Sequence, residues 1–291
     1  MTEIDYKAKL INENLALTAG FSGGTWAAEL PLENMIDRRI VARPARCETP
    51  GALAASQFTV TLLRRRNTKF FGLFRTNLSA IAKIKVTFGS DAAFTTVVHQ
   101  IDWTPVYGRF FPSLSLEWED ANFWTGGAQE SQLDLYGRSR FFLFEAAVSS
   151  QHIRVEIDDP TNPDGYIDIG YLYVGSNIST RFNYQRGRRL RAVSRTRRDE
   201  TPSGHPVFDR RRPKRIQEVS YPYLYENELT AFFDAGMQND IVDPVVFIPD
   251  PQDELSQQRG AFLGTFVDLP GALHRFDGNH QSNLAIEEIL A

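Results

Sequence analysis

Apolar and polar positions alternate most cleanly in the first two thirds of the chain. Ala82, Ile84, Val86 and Phe88 fall on one face of an alternating run, ended by Gly89-Ser90-Asp91. Phe58–Leu63 and Phe70–Arg75 read as two buried strands, separated by the charged break Arg64-Arg65-Arg66-Asn67. Val97–Ile101, Phe141–Phe144 and Ile153–Ile157 add shorter strands, and Tyr166–Val174 alternates again before Gly175. Between the last two, Asp158–Gly165 carries two prolines, an asparagine, three aspartates and a glycine, each with its own way of bending a chain. The stretch Val155–Gly175 is therefore expected to be a closing hairpin. Six or seven short strands over roughly residues 55–175, broken by glycine and proline turns, predict an all-β fold built on an antiparallel β-sandwich.

The flanks are less regular. Leu10–Leu17 could hold a short strand, Leu30–Asp37 a loop or single helical turn, and Arg43–Ala55 reads as irregular. Trp103–Gly127 is a long aromatic loop region. From Ser176 to Arg215 periodicity fades, which predicts an extended arm. It returns with strands at Ile216–Val219, Tyr221–Tyr225, Val245–Ile248, Ala261–Val267 and Leu284–Leu290. Glu226–Met237 is the best helix, with Leu229, Phe232 and Phe233 spaced i, i+3, i+4 and Gly236 placed to end it. The expected division is a sandwich over 1–178, a basic arm over 179–215 and a mainly-β C-terminal segment with one helix over 216–291. That last segment is short for an independent domain and is expected to pack on the sandwich or on neighbouring subunits.

Composition changes this picture mainly through charge. The apolar fraction of 42% is that of a chain able to bury a core, and 21 phenylalanines favour strands. The net charge of −4 hides a strong segregation. Residues 181–215 hold thirteen Arg or Lys against three acids, a net +10, which leaves −14 on the rest. The single cysteine, Cys47, excludes an intrachain disulfide. Met1–Tyr6 lacks the basic start and apolar core of a signal peptide, and no apolar run is long enough to span a membrane.

Candidate chemistry is sparse. On an EF-hand template the acidic turn puts Asn162, Asp164 and Gly165 at the third, fifth and sixth places. Pro160 and Tyr171 then stand where the first and twelfth ligands belong. A solvated turn is favoured over an ion site at Asp158–Asp168. His99, His152, His205, His274 and His280 show no zinc spacing, and no cofactor is expected. Glu117 and Glu119 flank Trp118 as a carboxylate pair of the kind glycosidases use, but acids on sandwich loops are usually solvated, and no catalytic residue is assigned. Trp103, Trp118 and Trp124 could stack on sugar rings, although such rings more often fill cores or interfaces. The arginines Arg181, Arg186, Arg188, Arg189, Arg191, Arg210, Arg211 and Arg212 could thread onto acidic surfaces of another copy or of a partner, the favoured reading of the arm. A solvated linker ranks next, and nucleic acid last, for want of a DNA- or RNA-reading motif.

Two stretches suggest a family, and two more add to the resemblance. Asp158-Asp159-Pro160-x-Asn162-Pro163-Asp164-Gly165-Tyr166-Ile167-Asp168-Ile169-Gly170 through Val174-Gly175 resembles a phrase of tail proteins of long-tailed bacteriophages and prophages. There it belongs to a galactose-binding-like (discoidin-like) jelly roll. Phe74–Ser79 followed by Ala82–Val86 resembles a strand-loop-strand of the same modules, with Thr76 where the family often has His, and Phe21–Trp26 resembles their opening. The C-terminal run from Pro244–Pro251 through Arg259–Gly264 to Ile286–Ile289 resembles the closing strands of distal-tail or baseplate ring proteins. The resemblance implies a non-enzymatic virion subunit of a tail tip or baseplate, made in the host cytoplasm. Its partners would be copies of itself in a cyclic oligomer and other tail proteins such as tube and hub. The alternative is a carbohydrate-binding module contacting the host surface through the three tryptophans.

Overall fold

Strand formation follows the alternation, but strand pairing does not follow the order of the chain. The computed structural model describes residues 7–37, 43–112, 115–120, 122–124, 126–276 and 278–290. The Met1–Tyr6 start, read as lacking a leader, lies outside them. The chain forms two compact units, one of residues 11–177 with 251–259, the other of residues 1–10, 178–250 and 260–290.

A first strand, β1 (Lys9–Ile11), precedes the first unit. That unit is built from β2 (Gly20–Ser22), β3 (Ala45–Cys47), β4 (Phe58–Thr76), β5 (Lys83–Gly89), β6 (Val97–Pro105), β7 (Ser139–Asp158) and β8 (Ile167–Gly175). All pair antiparallel, in the order β3-β8-β4-β7-β5-β6, with β2 on the free side of β4. The long strands β4 and β7 run beside each other as one ribbon. At its first end, Phe58–Thr61 of β4 lies between β2 and His152–Val155 of β7, which β5 flanks. At its other end, Phe70–Phe74 lies between β8 and Ser139–Leu143 of β7. The ribbon thus passes from one layer of a sandwich to the other. Register shifts between Thr61 and Arg66, and again between Thr68 and Phe70, mark the bend.

Two expectations change here. Arg64–Asn67 does not separate two strands: it is the exposed bend of a single 19-residue strand. Val155–Gly175 is not a hairpin, because β7 and β8 never pair, and β4 lies between them. The turn at 158–165 is a corner joining the two layers. Local alternation marks a strand, but its partner is chosen by which layer it enters.

Both layers fill a common core. Phe58, Val60, Phe71, Leu73, Ile84, Val86, Phe88, Ile153, Val155, Leu172 and Val174 belong to it, and none is accessible to solvent. Each fully buried side chain of this kind contributes about 2 kcal/mol. Cys47 is buried in the same core.

In the second unit, β1 continues with β9 (Ile178–Ser179), β10 (Arg189–Val193), β11 (Arg197–Glu200), β12 (Pro206–Asp209), β13 (Lys214–Leu224), β14 (Val245–Ile248), β15 (Phe262–Asp268), β16 (Leu273–Phe276) and β17 (Asn279–Glu288). The main sheet runs β10-β13-β17-β15-β14-β1-β9, with β16 also on β17. The helix Glu226–Asn239 packs Leu229, Phe232 and Ala235 into a second core with Tyr221, Phe247 and Phe266, and Tyr221 meets Phe232 at 5.1 Å. Gly236 does not end this helix. A Cβ there would lie 2.8 Å from the Pro270 ring, so the glycine serves close packing, and Asp240 at φ 49° follows the last turn. The segment after 216 is thus completed by residues 1–10 and 178–215 into a unit with its own core. Arg43–Ala55, expected to be irregular, contains β3 and the short helix Leu53–Ser56.

Of the expected arm over 179–215, β9, β10 and the start of β13 belong to the main sheet. Only β11 and β12 stand apart, as an isolated two-stranded sheet whose residues are all exposed.

Candidate functional site

The acidic corner is the first place to look for chemistry, and its carboxylates are already engaged. Asp159 is fully buried and accepts hydrogen bonds from the Ser79 amide at 2.9 Å, the Ser79 hydroxyl at 2.5 Å and the Asn162 amide at 2.9 Å. The Asn77 side chain donates to Asp164 and to the Tyr166 carbonyl, both at 2.9 Å, and accepts from the Asp168 amide at 2.7 Å. Asp168 takes a two-pronged bond from Arg46, 2.8 Å on each prong, and this contact raises the guanidinium pKa above its ordinary value. Arg46 also lies 3.8 Å above the Tyr166 ring. The corner is a latch between Asn77-Leu78-Ser79 and residues 159–168. Among the described residues no cluster of three His, Cys, Asp or Glu side chains is placed to hold a metal ion.

A better candidate is a cavity of about 780 Å³ in the sandwich unit. One wall is the start of β7, with Arg140 and Phe142, and another is the chain after β6, with Tyr107 and Arg109. Lys83 at the head of β5, Trp124 from the aromatic loop, and Gln252 and Gln257 from the far end of the chain complete it. The walls are held firmly. Tyr107 is buried and its hydroxyl donates to the Leu78 carbonyl at 3.0 Å; burial pushes the phenol pKa well up, so it stays protonated. Arg109 is fixed by a backbone bridge to Gly127. Arg140 lies over the Phe142 ring at 4.4 Å, and its head sits 3.5 Å from where a Cβ on Gly108 would stand. The Gln257 amide donates to the Pro251 carbonyl at 3.0 Å, and the neighbouring Gln258 donates to the Ser139 carbonyl at 2.9 Å. These bonds seat the 251–259 segment against β7.

Trp124 is 87% exposed, and its ring is braced edge-on by Phe123 at 5.0 Å. Trp103 on β6 and Trp118 are also exposed, at 41% and 76%, but neither lines the cavity. Of the three tryptophans, one therefore meets the other lining groups. Glu117 and Glu119 lie exposed around the turn 117–120, outside the cavity lining.

Lys83, Arg109, Arg140 and the two glutamines were not among the sequence candidates. Arg109 and Arg140 each precede a phenylalanine, a pattern that could have marked them. Nothing in the sequence could have brought Gln252 and Gln257 to this place.

The arm arginines lie in the other unit, where several meet acids of that unit. Arg189 and Arg191 approach Glu218 at 3.9 and 3.2 Å, Arg211 pairs with Asp209 at 2.7 Å, and Arg212 with Glu288 at 3.2 Å. Arg181 donates to the Tyr225 hydroxyl at 3.2 Å. Arg186 and Arg210 are exposed with no ion pair among the described residues, and Arg188 is half-buried.

No protein-family model and no curated protein matches this chain. Solved structures do show likeness of fold. CBM32-1 from a family 31 glycoside hydrolase of Clostridium perfringens is 10% identical, with a TM-score of 0.36, over 56% of this chain and 98% of that one. The family 32 CBM of C. perfringens NanJ, in complex with galactose, is 13% identical with a TM-score of 0.36, over 57% and 98%. A Streptococcus pneumoniae fucose binding module gives 13% and 0.36, over 56% and 95%. At such identities these likenesses bear on no individual residue of this chain.

Proposed function

We propose that the β-sandwich unit binds a carbohydrate in the cavity beside Trp124, and that the protein acts as a binding component without catalysis. The observation that carries this reading is the placement of Trp124. Its indole stands almost wholly in solvent at the mouth of a roomy cavity whose walls supply cationic and amide donors. A flat apolar face beside a few fixed polar groups suits a ring with one hydrophobic face and a belt of hydroxyls. The test is a glycan array probed with the full chain. Binding should be lost on Trp124→Ala, by about tenfold or more. Trp103→Ala and Trp118→Ala should leave it intact, and thermal unfolding should be unchanged. An array without hits overturns the reading.

A second reading is favoured by a different observation. The β11/β12 hairpin exposes Val207 and Phe208, at 52% and 59%, and among the described residues no third strand pairs with it. A two-stranded sheet of this kind is marginal in water and gains by docking. This supports a structural subunit that assembles with copies of itself, as the resemblance to virion tail-tip and baseplate proteins implies. The two readings coexist in one molecule, with assembly through one unit and glycan contact through the other.

A further inference from the structure

We infer that the ligand of the Trp124 cavity is an acidic saccharide, bearing a carboxylate or a sulfate; this deepens the carbohydrate reading and rests on it. Three cations, Lys83, Arg109 and Arg140, line the cavity, and no Asp or Glu among the described residues lines it. The concentration is local, because the chain as a whole is negative, at −4. Acids near these positions in sequence are turned to other partners. Glu130 and Asp134 pair with Arg138 at 2.7 and 2.9 Å, Glu156 pairs with Lys85 at 3.1 Å, and Asp102 accepts from Gln100 at 2.5 Å. Neither Lys83 nor Arg109 forms an ion pair among the described residues, although Asp158 stands opposite Lys83 in the register of β5 and β7.

Like charges gathered in a concave site repel one another, and an anion relieves that repulsion. Arginine forks match the paired oxygens of a carboxylate or sulfate. Arg140 is pre-set by Phe142, so little of its freedom is lost on binding, and the main chain carrying Arg109 is held by its backbone bridge to Gly127. Trp124 completes the argument. A bare inorganic anion would use the cations and leave the indole idle, and a neutral sugar would use the indole and leave the cations idle. An acidic sugar uses both.

The experiment is titration calorimetry on the full chain with trigalacturonate, its methyl ester, a sulfated disaccharide, inorganic phosphate and adenosine monophosphate. The acid should bind roughly tenfold or more tightly than its ester, and more weakly as salt rises. Arg109→Gln and Lys83→Gln should each weaken the acid about tenfold and leave the ester unaffected. Trp124→Ala should weaken both. The sulfated probe separates the two anion types: sensitivity to the same variants extends the assignment to sulfate, and indifference restricts it to carboxylate. Equal binding of acid and ester overturns the anionic assignment and leaves the carbohydrate reading standing. Binding of no saccharide at all overturns both. Phosphate or the nucleotide binding as tightly as the acid overturns the saccharide assignment. Because Lys83 and Arg109 are exposed, their variants should fold, and unchanged unfolding curves would verify it.

Discussion

Asn77 shows how much one side chain can organise. Its amide and carbonyl reach Asp164, Tyr166 and Asp168, and its own backbone carbonyl accepts from Asn162 at 3.2 Å. Asp159 does the same for Ser79 from inside the corner. A carboxylate with no solvent access persists only if its oxygens are met, and here three donors meet them. Asp159→Ala strands those donors and should lower unfolding free energy by about 3 kcal/mol, measured by urea denaturation. A loss too small to resolve would show that the latch does not stabilise the sandwich. The two sequence phrases that suggested a family, one around Asn77 and one from Asp158 onward, are these two halves of one hydrogen-bonded joint. Their letters were legible in sequence. Their mutual contact was not, since about eighty residues separate them.

At the scale of elements, close approach of backbones decides what the alternation leaves open. Gly175 ends β8 where a Cβ would run into the Glu13 carbonyl oxygen. The obstacle is main chain and cannot rotate away. Gly175→Ala should therefore destabilise the protein by about 1–3 kcal/mol, read as a lower denaturation midpoint, and an unchanged midpoint would mean that the 11–14 segment moves freely. At Gly72 the obstacle is instead side chain, since the Phe70 and Phe74 rings fold over it. Such glycines mark themselves in sequence only as interruptions. The strand at 82–88 was legible from its alternating face, and that at 245–248 as a short apolar run between prolines, buried at all four positions. The joining of 58–63 to 70–75 was not, because three arginines in a row look like a turn whether the chain reverses or merely bends through solvent. The helix was legible in its apolar face, but its end was not, because Gly236 is required by Pro270 rather than by helix termination.

At the scale of the whole molecule, the segregated charge meets partners inside the chain. Much of the positive segment is balanced within its own unit, since Arg215 and Arg212 converge on Glu288 and Lys214 on Glu287. What remains distinctive is the exposed hairpin. Replacing residues 196–210 with a short Gly-Ser turn should reduce the protein's mass in solution from oligomer to monomer without altering its melting curve, by light scattering and circular dichroism. A wild-type chain that is itself monomeric, or a shortened chain that keeps its oligomer, refutes assembly through the hairpin. The cavity, too, belongs to this scale, being assembled from stretches that span residues 80 to 257.

The chain leaves the second unit after β1 and returns to it at β9, and these two strands are neighbours, with Lys9 opposite Ser179. Entry and exit therefore lie about 5 Å apart. A module mounted this way is a cassette: a host sheet can carry one insert or another without breaking its own ladder. Here the exchange would be incomplete, because residues 251–259 arrive from elsewhere in the chain to form one wall of the cavity. Residues 11–177 alone would carry Trp124 and the three cations but lack Gln252 and Gln257. Trading one recognition head for another would require changing two separated stretches of the chain in concert.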